Sequence, residues 1–290
     1  MQDNYKWCWM NGEILESAHA KVSVFDRGFL YGDGLFETIR IHNGGIFQWQ
    51  RHWARLIKGC SALGIQSPCS EDDFHKVIGQ LITKNQITKC MARIHLSRGA
   101  GPRGYLPPKN AKITALITLH PAPELSPNTP RSWNLIVSKM RTPSFASSSQ
   151  WKTTNKLFQT LIKQEANTAG ADDAIILNEN DHITELSSGN LFLTHQGVIL
   201  TPPVDTGILP GTTRELILEL AMQLGLDCRE SYCDLSTLRE ASSAFASLST
   251  LGLVHIQSIE GRELNLQPEE RQLYQEYLKR LDQISPLSYE

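Results

Sequence analysis

The sequence predicts an α+β fold with two domains, on three observations. Short segments that alternate between apolar and polar residues, as strands do, occur in both halves of the chain. Helical segments lie between them without forming a regular strand-helix-strand repeat. Residues 120–132, HPAPELSPNTPRS, contain four prolines in thirteen positions, which neither a helix interior nor a central strand tolerates. We therefore expect a smaller domain at 1–120, a linker at 121–132 and a larger domain at 133–290.

The first domain is expected to be a sheet with two inserted helices. The segments WMNGEIL (9–15) and LFETIRIHNGGIFQW (35–49) each place an Asn-Gly turn between apolar runs, which is a hairpin signal. KITALITL (112–119) alternates with period two. The first predicted helix stops at Gly64, and Ser70 caps the second. The residues expected to face inward are Trp53, Leu56, Ile57, Cys60 and Leu63 in the first helix, and Phe74, Val77, Ile78, Leu81 and Ile82 in the second.

The second domain mixes strands and helices, with no internal repeat. Strand patterns occur at 133–140, 172–178, 190–194 and 197–203, and helical patterns occur near 155–169, 213–224 and 268–283. This arrangement favours α+β over a regular α/β fold.

Composition excludes several classes of protein. The 290 residues include 28 basic and 30 acidic ones in a mixed pattern, so no basic stripe indicates nucleic acid. The first twenty residues lack a signal-peptide pattern and no long apolar run occurs, which predicts a cytoplasmic protein. Six cysteines without CxxC spacing indicate reduced, mostly buried thiols. With no HExxH motif either, we expect no metal.

Lys152 is the first candidate for chemistry. It stands between a tryptophan and two threonines, just before a helical pattern, in WKTTN (151–155). A surface lysine is the simplest interpretation of this position alone. Glu185, at the end of a strand before the small-residue loop LSSGN, could likewise be a solvated hairpin end.

TGILPGTTRELILEL (206–220) is a glycine-containing loop that opens directly into a helix. The amides of Thr212 and Thr213 should therefore point out of the helix start, where a phosphate binds readily. Ser249 and Thr250 follow an apolar strand, and Arg55 lies on the first predicted helix. A plain capped helix, turn residues and a surface arginine are the alternative interpretations.

Together these residues supply an amine, a carboxylate and a phosphate cradle. A pyridoxal phosphate site requires an amine for the aldehyde, a carboxylate for the ring nitrogen, and amides with a cation for the phosphate. The combination is therefore more informative than any one of its members.

Nearly the whole chain resembles the class IV, or fold-type IV, pyridoxal-phosphate enzymes. These comprise branched-chain aminotransferases, D-amino acid aminotransferases and aminodeoxychorismate lyases. The resemblance implies the two-domain fold of these enzymes and pyridoxal 5′-phosphate as cofactor. The matching segments are DRGFLYGDGLFETIR, HWARL, KTTN, ADDAIILNENDHITELSSGNLF and TPPVDTGILPGTTR, in the family's order and at similar spacing.

The resemblance also implies roles for individual residues. Lys152 matches the catalytic lysine that binds the cofactor covalently, and Glu185 matches the carboxylate facing the pyridine nitrogen. The positions that match groups around the phosphate are Arg55, Thr212, Thr213, Ser249 and Thr250.

Phe36, Arg103 and Tyr105 bear on the substrate. D-amino acid aminotransferases have a tyrosine at the position of Phe36, and an arginine and a histidine at the positions of Arg103 and Tyr105. Branched-chain enzymes typically show GxGxFEG and a tyrosine-x-arginine strand, which this sequence lacks. Aminodeoxychorismate lyases commonly have a phenylalanine at the first position and a loop similar to SRGAGPRGY (97–105). The resemblance thus favours a lyase that converts 4-amino-4-deoxychorismate to 4-aminobenzoate and pyruvate.

Two alternatives stay open. One is a class IV aminotransferase that acts on D-amino acids or branched-chain amino acids. The other is a non-catalytic protein that binds a phosphate ligand through GDG and GILPGTT, although no Walker or dinucleotide fingerprint accompanies these loops. In either enzyme the resemblance implies a small amino substrate and a homodimer, with Arg103 and Tyr105 reaching the site of the partner.

Overall fold

The computed structural model describes residues 5–145 and 147–287. The chain forms two compact units. The first comprises Met1–Pro123, Trp151–Lys156 and Leu281–Glu290, and the second comprises Glu124–Gln150 and Leu157–Arg280. The first unit thus consists of three separate segments of the chain. A single domain boundary in the sequence cannot describe such a unit. The division at 121–132 remains a prediction, and its limits at residues 1 and 290 lie outside the described residues.

The described part of the first unit contains one antiparallel sheet. Its strands are β1 (Trp7–Met10), β2 (Glu13–Glu16), β3 (Gly34–His42), β4 (Gly45–Ile46), β5 (Cys90–Ser97) and β6 (Thr114–His120). They lie in the order β2-β1-β6-β5-β3-β4. The predicted turns join β1 to β2 and β3 to β4, where Asn11-Gly12 and Asn43-Gly44 have the positive φ that such turns require.

The described helices of this unit are α1 (Arg27–Tyr31), α2 (Trp49–Leu63) and α3 (Glu71–Asn85). The structure confirms that α2 ends at Gly64, which is left-handed, and that Ser70 caps α3. Leu56 and Cys60 of α2 and Phe74 of α3 join the apolar core that includes Ile39 of β3. This core leaves the opposite face of β3 available for polar side chains.

The remaining elements belong to the second unit, except for the last two residues of the final helix. The strands are β7 (Arg131–Thr142), β8 (Asp173–Asn178), β9 (Ile183–Leu186), β10 (Asn190–His195), β11 (Val198–Thr201), β12 (Cys228–Glu230), β13 (Ser243–Leu248), β14 (Gly252–Ile259) and β15 (Arg262–Glu263). The helices are α4 (Leu157–Thr168), α5 (Thr212–Gln223), α6 (Leu235–Glu240) and α7 (Pro268–Asp282).

Six of these strands form a closed ring. The order β10-β13-β14-β7-β8-β9 returns to β10, because Asn190 of β10 pairs with Glu185 of β9. The β14-β7 and β7-β8 pairs are parallel, whereas the other pairs in the ring are antiparallel. Aliphatic side chains such as Leu191, Leu193 and Val254 fill the core of this unit. Glu185 therefore lies at the point where the ring closes.

The structure confirms the predicted α+β class, and the helices expected near 155–169, 213–224 and 268–283 are α4, α5 and α7. The short elements α1, α6, β12 and β15 were not expected, because a few residues carry too little periodicity to be recognised. In the described ranges no helix combines the length and the apolar character needed to cross a membrane.

Candidate active site

Lys152 lies on a segment that runs beside the beginning of β3. Thr153 forms an antiparallel bridge with Leu35. The backbone N–H of Phe36 donates to the carbonyl of Lys152 at 2.9 Å. The lysine is therefore held by the sheet rather than placed on a helix surface.

The GDG sequence before β3 makes this close approach possible. A Cβ atom on Gly32, which has φ of 67°, would lie 2.8 Å from Cβ of Asn155. A Cβ atom on Gly34 would lie 3.2 Å from Oγ1 of Thr154. The hydroxyl of Thr154 donates to the Gly32 carbonyl at 2.9 Å. Only glycine leaves room for the segment that carries the lysine.

The side chain of Lys152 reaches the aromatic ring of Phe36. Its Nζ atom lies 4.8 Å from the ring centroid. His95 of β5 is the cross-strand neighbour of Phe36 and stacks on it, with centroids 5.8 Å apart and an angle of 22° between the planes. The guanidinium carbon of Arg93 lies 4.1 Å from the same ring centroid. Phe36 thus forms the centre of a cluster of basic side chains.

Arg93 has no acidic partner among the described residues. Its Nε donates to Nε2 of His95 at 2.6 Å, and its other hydrogen bond is a 3.5 Å contact with Thr38. Because Nε2 accepts, the His95 ring is neutral, and burial followed by the charge of Arg93 lowers its pKa to about 4. Burial also lowers the pKa of Arg93 and, together with Arg93, that of His120. This face of the sheet can therefore bind an anion.

Arg55 of α2 lies on the other side of β3 in a paired arrangement. Its Nε donates to Oε1 of Glu37 at 2.7 Å and one Nη donates to Oε2 at 2.8 Å. Nδ1 of His52 lies 2.7 Å from the same Oε2. The charge of Arg55 and the hydrogen bonds from His52 and Arg55 overcome the effect of burial and hold the pKa of Glu37 well below its usual range, while burial lowers the pKa of His52. A neutral His52 thus donates Nδ1–H to an ionised carboxylate.

Glu185 is anchored where the ring of the second unit closes. Its Oε2 accepts from the backbone N–H of Leu209 at 3.0 Å and from Nδ2 of Asn190 at 3.2 Å. Asn190 also donates to the Leu209 carbonyl at 2.9 Å. The carboxylate is therefore attached to the loop that precedes α5.

The beginning of α5 brings together three of the predicted residues. Gly211 is the N-cap and supplies no side-chain cap to the helix. Thr212 and Thr213 open the helix and are buried, and the hydroxyls of Thr212 and Ser249 lie 3.4 Å apart. Thr250 follows in the same turn after β13. Backbone amides and two hydroxyls at a helix start suit a phosphate group.

Arg103 and Tyr105 lie in an exposed loop. Tyr105 is 89% exposed, and its ring contacts Tyr31 edge-on at 5.8 Å. Arg27 of α1 fixes the loop by donating to the carbonyls of Gly104 and Tyr105 at 2.7 and 2.9 Å. Within this chain the loop does not join Phe36, so a role at the substrate stays a prediction for Arg103 and Tyr105.

Several polar residues of these clusters were not recognised from the sequence. Glu37 shares its side of β3 with Leu35 and Ile39, so a charged residue at that position signals a buried ion pair. Arg93 and His95 alternate with apolar residues along β5 in the same way. The unrecognised residues are Glu37, His52, Arg93, His95, His120 and Asn190.

Comparison with known proteins places the chain in a family. Residues 34–259 match the family model of amino-transferase class IV. The D-alanine aminotransferase of Bacillus licheniformis is 31% identical over 259 residues, covering 88% of each protein. The aminodeoxychorismate lyase of Bacillus subtilis is 30% identical over 254 residues, covering 87% of this chain and 86% of the lyase.

Solved structures agree with this result. The branched-chain amino acid aminotransferase of Escherichia coli superposes with a TM-score of 0.90 at 26% identity. The match covers 95% of this chain and 94% of that structure. The chain therefore belongs to the class IV aminotransferases, a family of enzymes that use pyridoxal 5′-phosphate.

Proposed function

We propose that the protein is a 4-amino-4-deoxychorismate lyase, which forms 4-aminobenzoate and pyruvate. The observation that carries this proposal is the cluster of basic side chains around Phe36, next to Lys152, in which Arg93 has no acidic partner among the described residues. The substrate carries one carboxylate on a cyclohexadiene ring and a second on its enolpyruvyl group, and the ring becomes flat and aromatic in the product. An aromatic surface beside an uncompensated guanidinium suits such a molecule better than it suits a small aliphatic amino acid.

The phosphate cofactor of the family fits the residues present. In the first unit Lys152 supplies the amine and Arg55 a cation whose position Glu37 fixes. In the second unit Glu185 supplies the carboxylate for the ring nitrogen, and the beginning of α5 with Ser249 and Thr250 supplies donors for the phosphate. When bound, the cofactor supplies an electron sink for the carbon that bears the amine.

The residues of the chain supply the proton transfer and the orientation. Lys152 Nζ takes the proton from the amine-bearing carbon. Arg93 holds a substrate carboxylate, and Phe36 supports the ring that becomes aromatic. Cleavage of the C–O bond completes the aromatic ring and releases enolpyruvate, which takes up a proton to become pyruvate, so the reaction needs no amino acceptor.

The assay that tests this proposal uses purified holoenzyme and 4-amino-4-deoxychorismate without any keto acid. We expect 4-aminobenzoate and pyruvate in equal amounts. Millimolar D-alanine should change the cofactor absorbance slowly or not at all, because Phe36 lacks the hydroxyl present in D-amino acid aminotransferases. A rapid change with D-alanine that 2-oxoglutarate reverses, with no 4-aminobenzoate formed, would contradict the proposal.

That contrary result would identify the second candidate, an aminotransferase for D-amino acids or branched-chain amino acids. The identity to a D-alanine aminotransferase, 31%, favours it, since it is slightly above the 30% identity to a lyase. Assays with a panel of D- and L-amino acids and 2-oxoglutarate distinguish an aminotransferase for D-amino acids from one for branched-chain amino acids.

Lys152 as the cofactor lysine can be tested separately. Borohydride reduction of the holoenzyme, followed by peptide mass mapping, should place the pyridoxyl group on Lys152. Lys156→Ala is the matched control, because Lys156 Nζ also lies 5.9 Å from the Phe36 ring. The control should keep the label on Lys152, whereas Lys152→Ala should lose it. A label on Lys156 would refute the assignment.

We also propose a homodimer in the cytoplasm. A group of large apolar side chains near the Arg103 loop supports a second copy as the partner, since Phe25 and Phe29 are 64% and 74% exposed and Leu106 is 87% exposed. All six cysteines are free, which suits a reducing compartment. Sedimentation of the wild type and of Phe29→Glu tests the dimer.

A further inference from the structure

Asn190, at the beginning of β10, connects two parts of the candidate site. Its side chain is buried, with 4% of its surface exposed. Both hydrogens of its amide nitrogen are used, one on Glu185 Oε2 at 3.2 Å and one on the Leu209 carbonyl at 2.9 Å. The N–H of Leu209 donates back to the same Glu185 oxygen at 3.0 Å. The three groups thus form a closed hydrogen-bonded triangle.

The amide oxygen of Asn190, Oδ1, leaves no room for a side chain at Gly211, in the loop before α5. A Cβ atom on Gly211 would lie 2.0 Å from Oδ1 of Asn190. The backbone of the helix N-cap therefore packs directly on the asparagine. One side chain contacts both the carboxylate of Glu185 and the residue that begins the phosphate-binding helix.

We propose that Asn190 is a positioning residue that orients the Glu185 carboxylate toward the ring nitrogen of the cofactor and fixes its distance from the beginning of α5. This proposal rests on the proposed role of Glu185. An aspartate would place an acceptor oxygen where the amide nitrogen now faces the Leu209 carbonyl and the Glu185 carboxylate, and an alanine would remove one donor from each. An asparagine amide donates to both acceptors at once.

The test compares the affinity for pyridoxal phosphate with that for its 1-deaza analogue, in which C–H replaces the ring nitrogen. The ratio of the two dissociation constants isolates the interaction of the ring nitrogen with Glu185, because the aldehyde and phosphate are unchanged. We expect the wild type to prefer pyridoxal phosphate. In Asn190→Ala this preference should fall about tenfold, as for loss of a hydrogen bond to a charged group.

Two further variants test whether the change in the ratio depends on the contact between residue 190 and Glu185. Asn190→Asp keeps the size of the side chain and should also reduce the preference, which decides the test if Asn190→Ala does not fold. Asn178→Ala is the matched control, because Asn178 is a buried asparagine of β8 that donates to the Thr206 carbonyl at 3.2 Å and does not contact Glu185. It should lower the melting temperature but retain the wild-type ratio.

The outcomes separate this proposal from the role of Glu185. If Glu185→Gln leaves the ratio unchanged, the role of Glu185 is wrong. If Glu185→Gln removes the preference while both Asn190 variants keep it, the positioning role of Asn190 is overturned. An equal loss in Asn178→Ala would also overturn it, since the effect would then be general packing.

Discussion

The arginines on the two faces of the sheet in the first unit have different hydrogen-bond partners. On the core face, Arg55 shares the carboxylate of Glu37 with His52 at distances of 2.7 and 2.8 Å. On the opposite face, the described residues offer Arg93 only a neutral histidine and a threonine within hydrogen-bonding distance. Neighbouring residues of one strand, Phe36 and Glu37, face these two environments. The difference is that a carboxylate of the protein holds Arg55 in place, whereas Arg93 has no carboxylate partner among the described residues.

Burial explains why it is informative that one arginine has a carboxylate partner and the other does not. Removing one partner of a buried ion pair strongly destabilises a protein, so an arginine paired with a buried carboxylate is held firmly in place. A partly buried arginine without a carboxylate carries a desolvation cost that an anionic ligand can offset. We therefore interpret Glu37 as a structural residue that fixes Arg55, and Arg93 as a substrate residue.

The largest expected effect is on the stability of Glu37→Gln. The substitution leaves Arg55 without its buried counter-charge, which should cost about 3–5 kcal/mol. Urea unfolding of the cofactor-free protein measures this cost. Glu16→Gln is the control, because its ion pair with Lys6 is solvent-exposed and should contribute under about 1 kcal/mol. Equal stability of Glu37→Gln and Glu16→Gln would mean that the buried pair of Glu37 and Arg55 contributes no more than an exposed ion pair.

The next effect is on substrate binding by Arg93→Leu. The loss of a charge-assisted pair should reduce kcat/KM for aminodeoxychorismate about ten- to a hundredfold. Stability should change little, because no ion pair of the described residues involves Arg93. Arg103→Ala provides the comparison, since Arg103 is exposed in the loop where the sequence suggested a carboxylate-binding site. A loss in Arg103→Ala alone would favour that loop as the carboxylate site, acting across a dimer.

The contrast also shows what the sequence could predict. Periodicity and capping residues located α2 and α3, because the signals that stop and start them, Gly64 and Ser70, are local. The pairing of Glu37 with Arg55 was missed, since it depends on how α2 lies across β3. The alternation of β3 nevertheless puts Glu37 among core residues, which was a usable signal. The cluster at Phe36 requires β3 and β5 in register, and no local pattern specifies that register.

The smallest expected effect is a change in the pH dependence of stability caused by His95. Burial and the charge of Arg93 lower its pKa from 6.5 to about 4 in the folded protein. Between these values the unfolded chain binds more protons than the folded one, so stability is lost as pH falls through this range and is fully present above it.

His95→Gln removes this titration while keeping a group that can accept from Arg93. The fall in unfolding free energy between pH 7 and pH 5.5 should therefore be smaller in the variant, by on the order of 1 kcal/mol. Other histidines with a lowered pKa, such as His52 and His120, contribute the same sign in both proteins and cancel in the difference. His19→Gln, at an exposed position, should keep the wild-type dependence. Parallel curves for His95→Gln and the wild type would mean that folding leaves the pKa of His95 unchanged, so that its ring is protonated beside Arg93 at pH 5.5. The basic face would then carry two uncompensated cations, which would strengthen its expected preference for a dicarboxylate.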